Sequence, residues 1–246
     1  QELRCGYTTG TCAAAAAKAA AVTLLSGEIC RDVSLQLPGG EHIILETEFL
    51  ECSENCVKCG MIKDAGDDPD ITNGLLICAA VEKTEGETIL IDGGMGVGRV
   101  TKPGLDQPVG AAAINSVPRK MIHEAVEDVR RQYAWKKGLK VTVFIPNGKE
   151  KAEKTLNPML GIVGGLSVLG TTGIVEPMSE KALIDTIAVD IRMHRAQNED
   201  ILLMAPGNYG LDYLKAAYHI HADQVIKISN FIGDSIDLAV CEGASG

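Results

Sequence analysis

The segment GYTTGTCAAAAAKAAA at 6–21 constrains the fold more than any other stretch of the chain. Alanine loses no side-chain entropy in a helix, so the alanines at 13–17 and 19–21 predict one strongly. Thr9 or Thr11 is the expected N-cap, and Ser26-Gly27 the expected stop. The turn Thr8-Thr9-Gly10-Thr11 feeds the helix N-terminus. Free backbone N–H groups and the positive end of the helix dipole suit an anion there. The plainer alternative is a tightly packed, well-capped core helix with no ligand.

At 246 residues the chain has room for one large or two ordinary domains. Aromatics make up only 4%, so the core must be aliphatic, and 27 glycines imply many tight turns. A net charge of −10 argues against a general nucleic-acid binder, which needs a basic footprint. It leaves room for a small polyanion held by local amides and a few Lys or Arg. The alanine run is broken by Lys18 and is too short to span a bilayer, so no membrane partner is expected. No apolar leader is visible, and eight cysteines without one fit a reducing cytoplasm. The chain starts at Gln1 and stops just past an apolar, helix-like stretch, so further sequence is expected at both ends.

Residues 33–37 and 42–49 read as a hairpin around Pro38-Gly39-Gly40, and 75–81 and 88–91 as further strands. A helix opens at Ser116 with Pro118 in its first position; Met121, Ile122, Ala125, Val126, Val129 and Tyr133 share one face. A strand follows at 140–145, then a glycine- and threonine-rich loop at 155–179. Ser179 caps a helix lined by Leu183, Ile184, Ile187, Ala188 and Ile191. Beyond 197 a strand at 201–205, a helix at 211–218, a strand at 224–229 and a helix at 231–240 make a βαβα rhythm. Two domains are expected, 1–192 and 193–246, the second a small parallel α/β unit that is incomplete at its C-terminus. Thr-Thr-Gly occurs at 8–10 and again at 171–173.

Four constellations could carry chemistry. In KDAGDDPDITNG at 63–74, Asp64, Asp67, Asp68 and Asp70 repel unless a cation or backbone N–H groups hold them. A magnesium or calcium site, a general base and a capped turn compete there. In DGGMGVGRVTKPGL at 92–105, Gly94, Gly96 and Gly98 allow close backbone approach to an anion near Arg99 and Lys102. Both nucleotide fingerprints fail there, and a bulged connection between strands is the alternative. The segment 157–180 offers Gly164, Gly165, Thr171 and Thr172 without a nucleophile–base pair. Cys52, Cys56 and Cys59 have the C-x3-C-x2-C spacing of a radical iron–sulfur site, but no barrel-length βα series accompanies them. A partial zinc site, a disulfide or ordinary thiols fit as well.

GYTTGTCAAAA, KDAGDDPDITNG, GVGRVTKPGL, PVGAAAINSVPR and NPMLGIVGGLSVLGTTGIVEPMSE together resemble the cobalt-precorrin-5B C-1 methyltransferases of anaerobic cobalamin biosynthesis. The resemblance runs from Gly6 to about residue 240, and the family continues past this point. It implies methyl transfer from S-adenosylmethionine to a corrinoid precursor that brings its own cobalt, with no metal held by the protein. Neighbouring pathway enzymes are candidate partners. It implies an α+β first domain of the ribosomal-protein and small-molecule-kinase type, in direct or permuted order, with a small parallel α/β domain and no Rossmann-like methyltransferase fold. The macrocycle's carboxylates would meet Thr8, Thr9, Thr11, Gly94, Gly96, Gly98, Lys102, Asn115, Arg119, Gly164, Gly165, Thr171 and Thr172. Asp64, Asp67 or Asp68 would accept a proton or anchor the loop. Gly207, Asn208 and Gly210 would hold the cofactor. The rivals are an ATP-dependent small-molecule kinase, a radical enzyme and a non-enzymatic tetrapyrrole carrier.

Overall fold

A two-residue strand, β1 (Gly6–Tyr7), leads into the alanine helix α1 (Thr9–Ser26). The computed structural model describes residues 3–177 and 179–245. Thr8, rather than Thr9 or Thr11, caps α1: its Oγ1 accepts from the Thr11 amide at 3.2 Å. Gly27 ends the helix at φ 79°, a left-handed conformation that suits glycine. Cys12 and all eight alanines at 13–17 and 19–21 are buried, so α1 is enclosed except along the half-buried stripe of Lys18, Val22, Leu25 and Ser26.

The expected hairpin forms from β2 (Asp32–Gln36) and β3 (His42–Glu46), with Asp32 opposite Glu46. The strand expected to run to 49 breaks at Thr47, whose amide and hydroxyl both donate to the Arg31 carbonyl. The chain then enters a different sheet as β4 (Glu48–Cys52) and β5 (Cys56–Ile62). Neither of these last two strands was expected. Next come β6 (Leu76–Lys83), β7 (Ile89–Gly93), β8 (Gly96–Val97) and β9 (Arg99–Val100). Helix α2 (Ser116–Gln132), strand β10 (Leu139–Phe144) and the short helix α3 (Gly148–Ala152) follow. Three two-residue strands, β11 (Ile162–Val163), β12 (Gly165–Leu166) and β13 (Ile174–Val175), close this part.

The main sheet has the order β4-β5-β6-β10-β7. It is antiparallel except where β10 lies parallel to β7. Val57, Cys59 and Met61 of β5, Ile77, Ala79 and Val81 of β6, and Leu139, Val141 and Val143 of β10 point to one face. There they meet the alanines of α1 and the apolar side of α2 in a single core. Asn115 occupies the N-cap of α2, so Pro118 is its third residue rather than its first. That position is still in the first turn, where the missing N–H has no intrahelical partner to lose.

Ser179 caps α4 (Glu180–Ala196), as expected, by accepting from the Ala182 amide at 3.4 Å. Strand β14 (Leu203–Ala205), helix α5 (Asn208–Tyr218), a 3₁₀ turn (Ala222–Gln224), strand β15 (Val225–Lys227) and helix α6 (Ile232–Cys241) complete the chain order. Strands β14 and β15 are parallel. A second core gathers Ile187 and Ile191 of α4 with Leu202, Ile226, Ile228 and Ala239. The division expected at 192/193 falls within α4, whose Ile187 and Ile191 pack in this second core. Leu183, expected on the inner side, is exposed. Among the described residues no helix is long and apolar enough to cross a membrane.

Candidate active site at two paired helix entrances

Two successive carbonyls join the entrances of α1 and α2. Leu169 O accepts from the Gly10 amide and Val168 O from the Asn115 amide, each at 3.0 Å. Gly10 is in the first turn of α1 and Asn115 is the N-cap of α2, so segment 168–169 holds two positive helix ends side by side. Glycine is required at position 10: a Cβ there would lie 2.8 Å from Pro118 Cγ and 3.2 Å from Leu169 O.

Threonine hydroxyls fasten the same junction. Thr9 Oγ1 donates to Leu169 O at 3.1 Å and accepts from the Leu169 amide at 2.9 Å. Thr11 Oγ1 donates to Gly173 O at 2.7 Å, and the Thr8 amide reaches that carbonyl at 3.1 Å. The two Thr-Thr-Gly stretches thus meet in space. Thr8, Thr9 and Thr11 are buried and bonded to backbone. They build the junction. Thr171 and Thr172 are exposed beside it; Thr172 Oγ1 donates to Ile174 O at 3.2 Å.

Arg119 supplies the cation. Its Nε donates to Ile114 O at 2.8 Å, and its terminal nitrogens donate to Ile91 O at 2.9 Å and Ala112 O at 3.2 Å. Burial pushes the Arg119 pKa down, with nearby Asp92 opposing it. The group stays charged all the same. All three of these bonds go to neutral carbonyls, while the Asp92 and Asp106 carboxylates act on its charge from nearby. Arg99 differs: it grips Asp92 at 2.8 and 3.0 Å and holds that carboxyl below its usual range. Asp106, overlooked in the sequence, caps α2 from outside by accepting from the Ser116 amide at 2.6 Å and hydroxyl at 2.9 Å. Asn115, relieved of that role, makes no capping bond with its half-buried side chain.

Most of the expected ligand-binding glycines serve chain-to-chain contact instead. Gly96 of β8 lies opposite Gly165 of β12, and a Cβ on Gly98 would sit 2.8 Å from Gly165 O. The Gly94 amide donates to Val143 O at 2.7 Å. Gly164 is different, with φ 86° and open space around it. Lys102 lies farther along, its ammonium 3.4 Å from Met159 O.

The acidic stretch is an anchored turn. Arg4 donates to both Asp64 oxygens, at 2.5 and 2.9 Å, and the Gly66 amide adds a third bond at 2.9 Å. These bonds, that from Arg4 first, hold the Asp64 pKa at about 2. It is a poor proton acceptor near neutrality, so the loop-anchor alternative fits it. Asp67 accepts from the Arg4 amide at 2.7 Å, and the Asp68 amide donates to Ala65 O at 3.4 Å. The most buried member is Asp70, set aside in the sequence, whose partner Lys63 is 2.6 Å away and 1% exposed.

Cys59 points into the core, while Cys56, three residues earlier on β5, points to the opposite face. Among the described residues no group of three His, Cys, Asp or Glu is arranged to hold a metal. Gly207, Asn208 and Gly210 lie at the end of β14, where open parallel sheets bind ligands. Asn208 Oδ1 there accepts from Lys227 Nζ at 2.9 Å.

The CbiD family model matches residues 1–177. The chain belongs to the CbiD family. It is 50% identical over 240 residues to a cobalt-precorrin-5B C(1)-methyltransferase of Ruminiclostridium cellulolyticum, covering 98% of this chain and 62% of that one. A relative of the same name in Alkaliphilus metalliredigens is 46% identical, with 98% and 63% covered. The chain thus spans under two thirds of the length of these relatives. A crystal structure of the cobalamin biosynthesis protein CbiD from Archaeoglobus fulgidus superposes with a TM-score of 0.58 at 28% identity, covering 96% of this chain and 73% of that one.

In this CbiD family member, three of the segments that carry the resemblance meet at one place. The turn at 8–11, the start of α2 at 115–119 and the loop at 164–173 all converge on the paired helix entrances. The helix ends are filled by Leu169 O and Thr8 Oγ1 at α1 and by Val168 O and Asp106 at α2, which leaves the Arg119 guanidinium as the group able to attract a carboxylate. The junction holds no nucleophile paired with a base.

Proposed function

We propose that this chain takes part in transferring a methyl group from S-adenosylmethionine to C-1 of cobalt-precorrin-5B. The observation that carries this is the convergence of the shared segments on one junction, in a chain about half identical to proteins of that name. The substrate is a polycarboxylate, and the protein carries a net charge of −10, so binding must be local. Arg119, beside the paired helix entrances, supplies that local attraction.

The chemistry asks for position more than for a covalent catalyst. A sulfonium methyl is already activated, and the conjugated ring spreads charge as its carbon attacks in line. Alignment of two bound reactants can lower the barrier by roughly 7–11 kcal/mol. Cobalt arrives as part of the substrate. The kinase alternative needs the acidic stretch open to magnesium, but Asp64 and Asp70 are bound to Arg4 and Lys63. In the same reading the first core is of the ribosomal-protein and small-molecule-kinase type, the second is a parallel α/β unit, and the setting is the cytoplasm.

The test is anaerobic incubation with cobalt-precorrin-5B and methyl-labelled S-adenosylmethionine. Label at C-1, with S-adenosylhomocysteine formed, is the expected outcome. Macrocycle binding without label transfer would make the protein a carrier.

A further inference from the structure

A cavity of about 120 Å³ opens between the two parts of the molecule. Lys102 and Met159 line it from one side, and the last turns of α4 and the 3₁₀ turn from the other. Gly104 permits the approach: a Cβ there would lie 2.9 Å from Ala196 Cβ and 3.0 Å from Arg192 O. The wall has three carboxylates, Asp190, Glu199 and Asp223, and one ammonium, Lys102.

His194, only 7% exposed, also lines the cavity. Its Nδ1 is 2.7 Å from Glu199 Oε2, which places the ring proton on that nitrogen. Nε2 makes no hydrogen bond among the described residues; Asp190 Oδ1, at 3.8 Å, is beyond reach. Burial pushes the Asp190 carboxyl up, with His194 opposing it.

We infer that this cavity takes the amino-acid end of the methyl donor. The inference rests on the methyl-transfer reading above. S-Adenosylmethionine carries an ammonium and a sulfonium against one carboxylate. Three carboxylates and one ammonium complement that charge set. The size agrees: pockets for whole drug-sized ligands run to roughly 300–1,000 Å³, so this one admits a smaller group and excludes a macrocycle. The position agrees too. Arg99 bridges to Ala112, whose carbonyl accepts from Arg119. Lys102 follows Arg99 by three residues, at most about 10 Å of extended chain. Donor and acceptor sites therefore share one short segment.

The experiment is titration calorimetry of the protein with S-adenosylmethionine, and separately with cobalt-precorrin-5B. Asp223 is on an exposed turn, so Asp223→Asn keeps the fold; it and Lys102→Met should each weaken S-adenosylmethionine by at least about tenfold. Asp223→Asn should leave macrocycle affinity as it was. Wild-type donor affinity in both variants would overturn the inference while leaving the methyl-transfer reading intact. A loss seen instead with Asn208→Ala would put the donor at the end of β14. A protein that binds the macrocycle but not the donor would overturn both readings.

Discussion

At the scale of residues, burial separates the carboxylates that the sequence presents as equals. Asp70 faces Lys63 in the interior, whereas Asp64 faces Arg4 near solvent. Breaking a buried pair strands one charge, so Lys63→Met, which keeps the volume, should cost about 3 kcal/mol in urea unfolding. Asp70 itself is a quarter exposed, which favours the lower end of that range. Burial raises its pKa, but the bonds from Lys63 and Thr72 outweigh this and hold it below the ordinary value. Its stabilisation is therefore complete above the unfolded carboxylate pKa, near ~3.9, and is lost as pH falls through the folded value. Lys63→Met should flatten that acid limb. Asp64→Asn should behave differently. An exposed pair contributes about 1 kcal/mol or less, and a group already ionised near neutrality is no base. Turnover of Asp64→Asn should keep the wild-type level and pH profile above about pH 5; a large loss of turnover across that range would restore Asp64 as proton acceptor. The run of Asp residues was legible as a turn needing cations. Which cation each one takes was not, because Arg4 is 60 residues away from Asp64 in sequence.

At the scale of elements, α1 was legible because local propensity and burial agree there. Its cap was displaced because three hydroxyls competed and the tertiary structure chose among them. Thr9 and Thr11 are claimed by the carbonyls of residues 169 and 173, which leaves Thr8 to the helix end. Strand β5 carried a period-two signal in Val57, Cys59 and Met61, but the cysteine spacing over the same residues suggested a metal site. The small strands β8, β9, β11, β12 and β13 have two residues each, too few for periodicity, and their pairings are remote. The junction they hold depends on Gly10. Gly10→Ala would gain helix propensity of about 1 kcal/mol, yet its methyl would press on the Pro118 ring. Overpacking of this kind costs about 1–3 kcal/mol, so net stability should fall or stay level. The sharper readout is cobalt-precorrin-5B affinity, which should drop as the helix entrances part. Unchanged affinity would mean the macrocycle is held elsewhere.

At the scale of the whole molecule, two cores of unequal strength share one chain. The first buries most of α1 and draws on the sheet, the hairpin and α2. The second has six buried members, and α5 buries none of its own residues. Tyr209 is 93% exposed, and Ile232, Ile236 and Val240 form an uncovered stripe on α6. The βαβα rhythm was legible, but membership of α4 was not, since its apolar face fits either core until Ile187 and Ile191 are seen against Ile226. Such an imbalance has a kinetic consequence. Amides in a helix buried along most of its surface exchange when the protein opens globally, whereas a helix with no buried side chains opens locally. Hydrogen exchange should therefore show α1 protected at least about 100-fold more than α5, a difference of roughly 2.7 kcal/mol in opening free energy. Adding S-adenosylmethionine tests the coupling between the cores. A donor bridging Lys102 and Asp223 should raise protection around α4 and the 3₁₀ turn before it changes α1. Equal protection of α1 and α5 without ligand would mean that the two cores open as one cooperative unit.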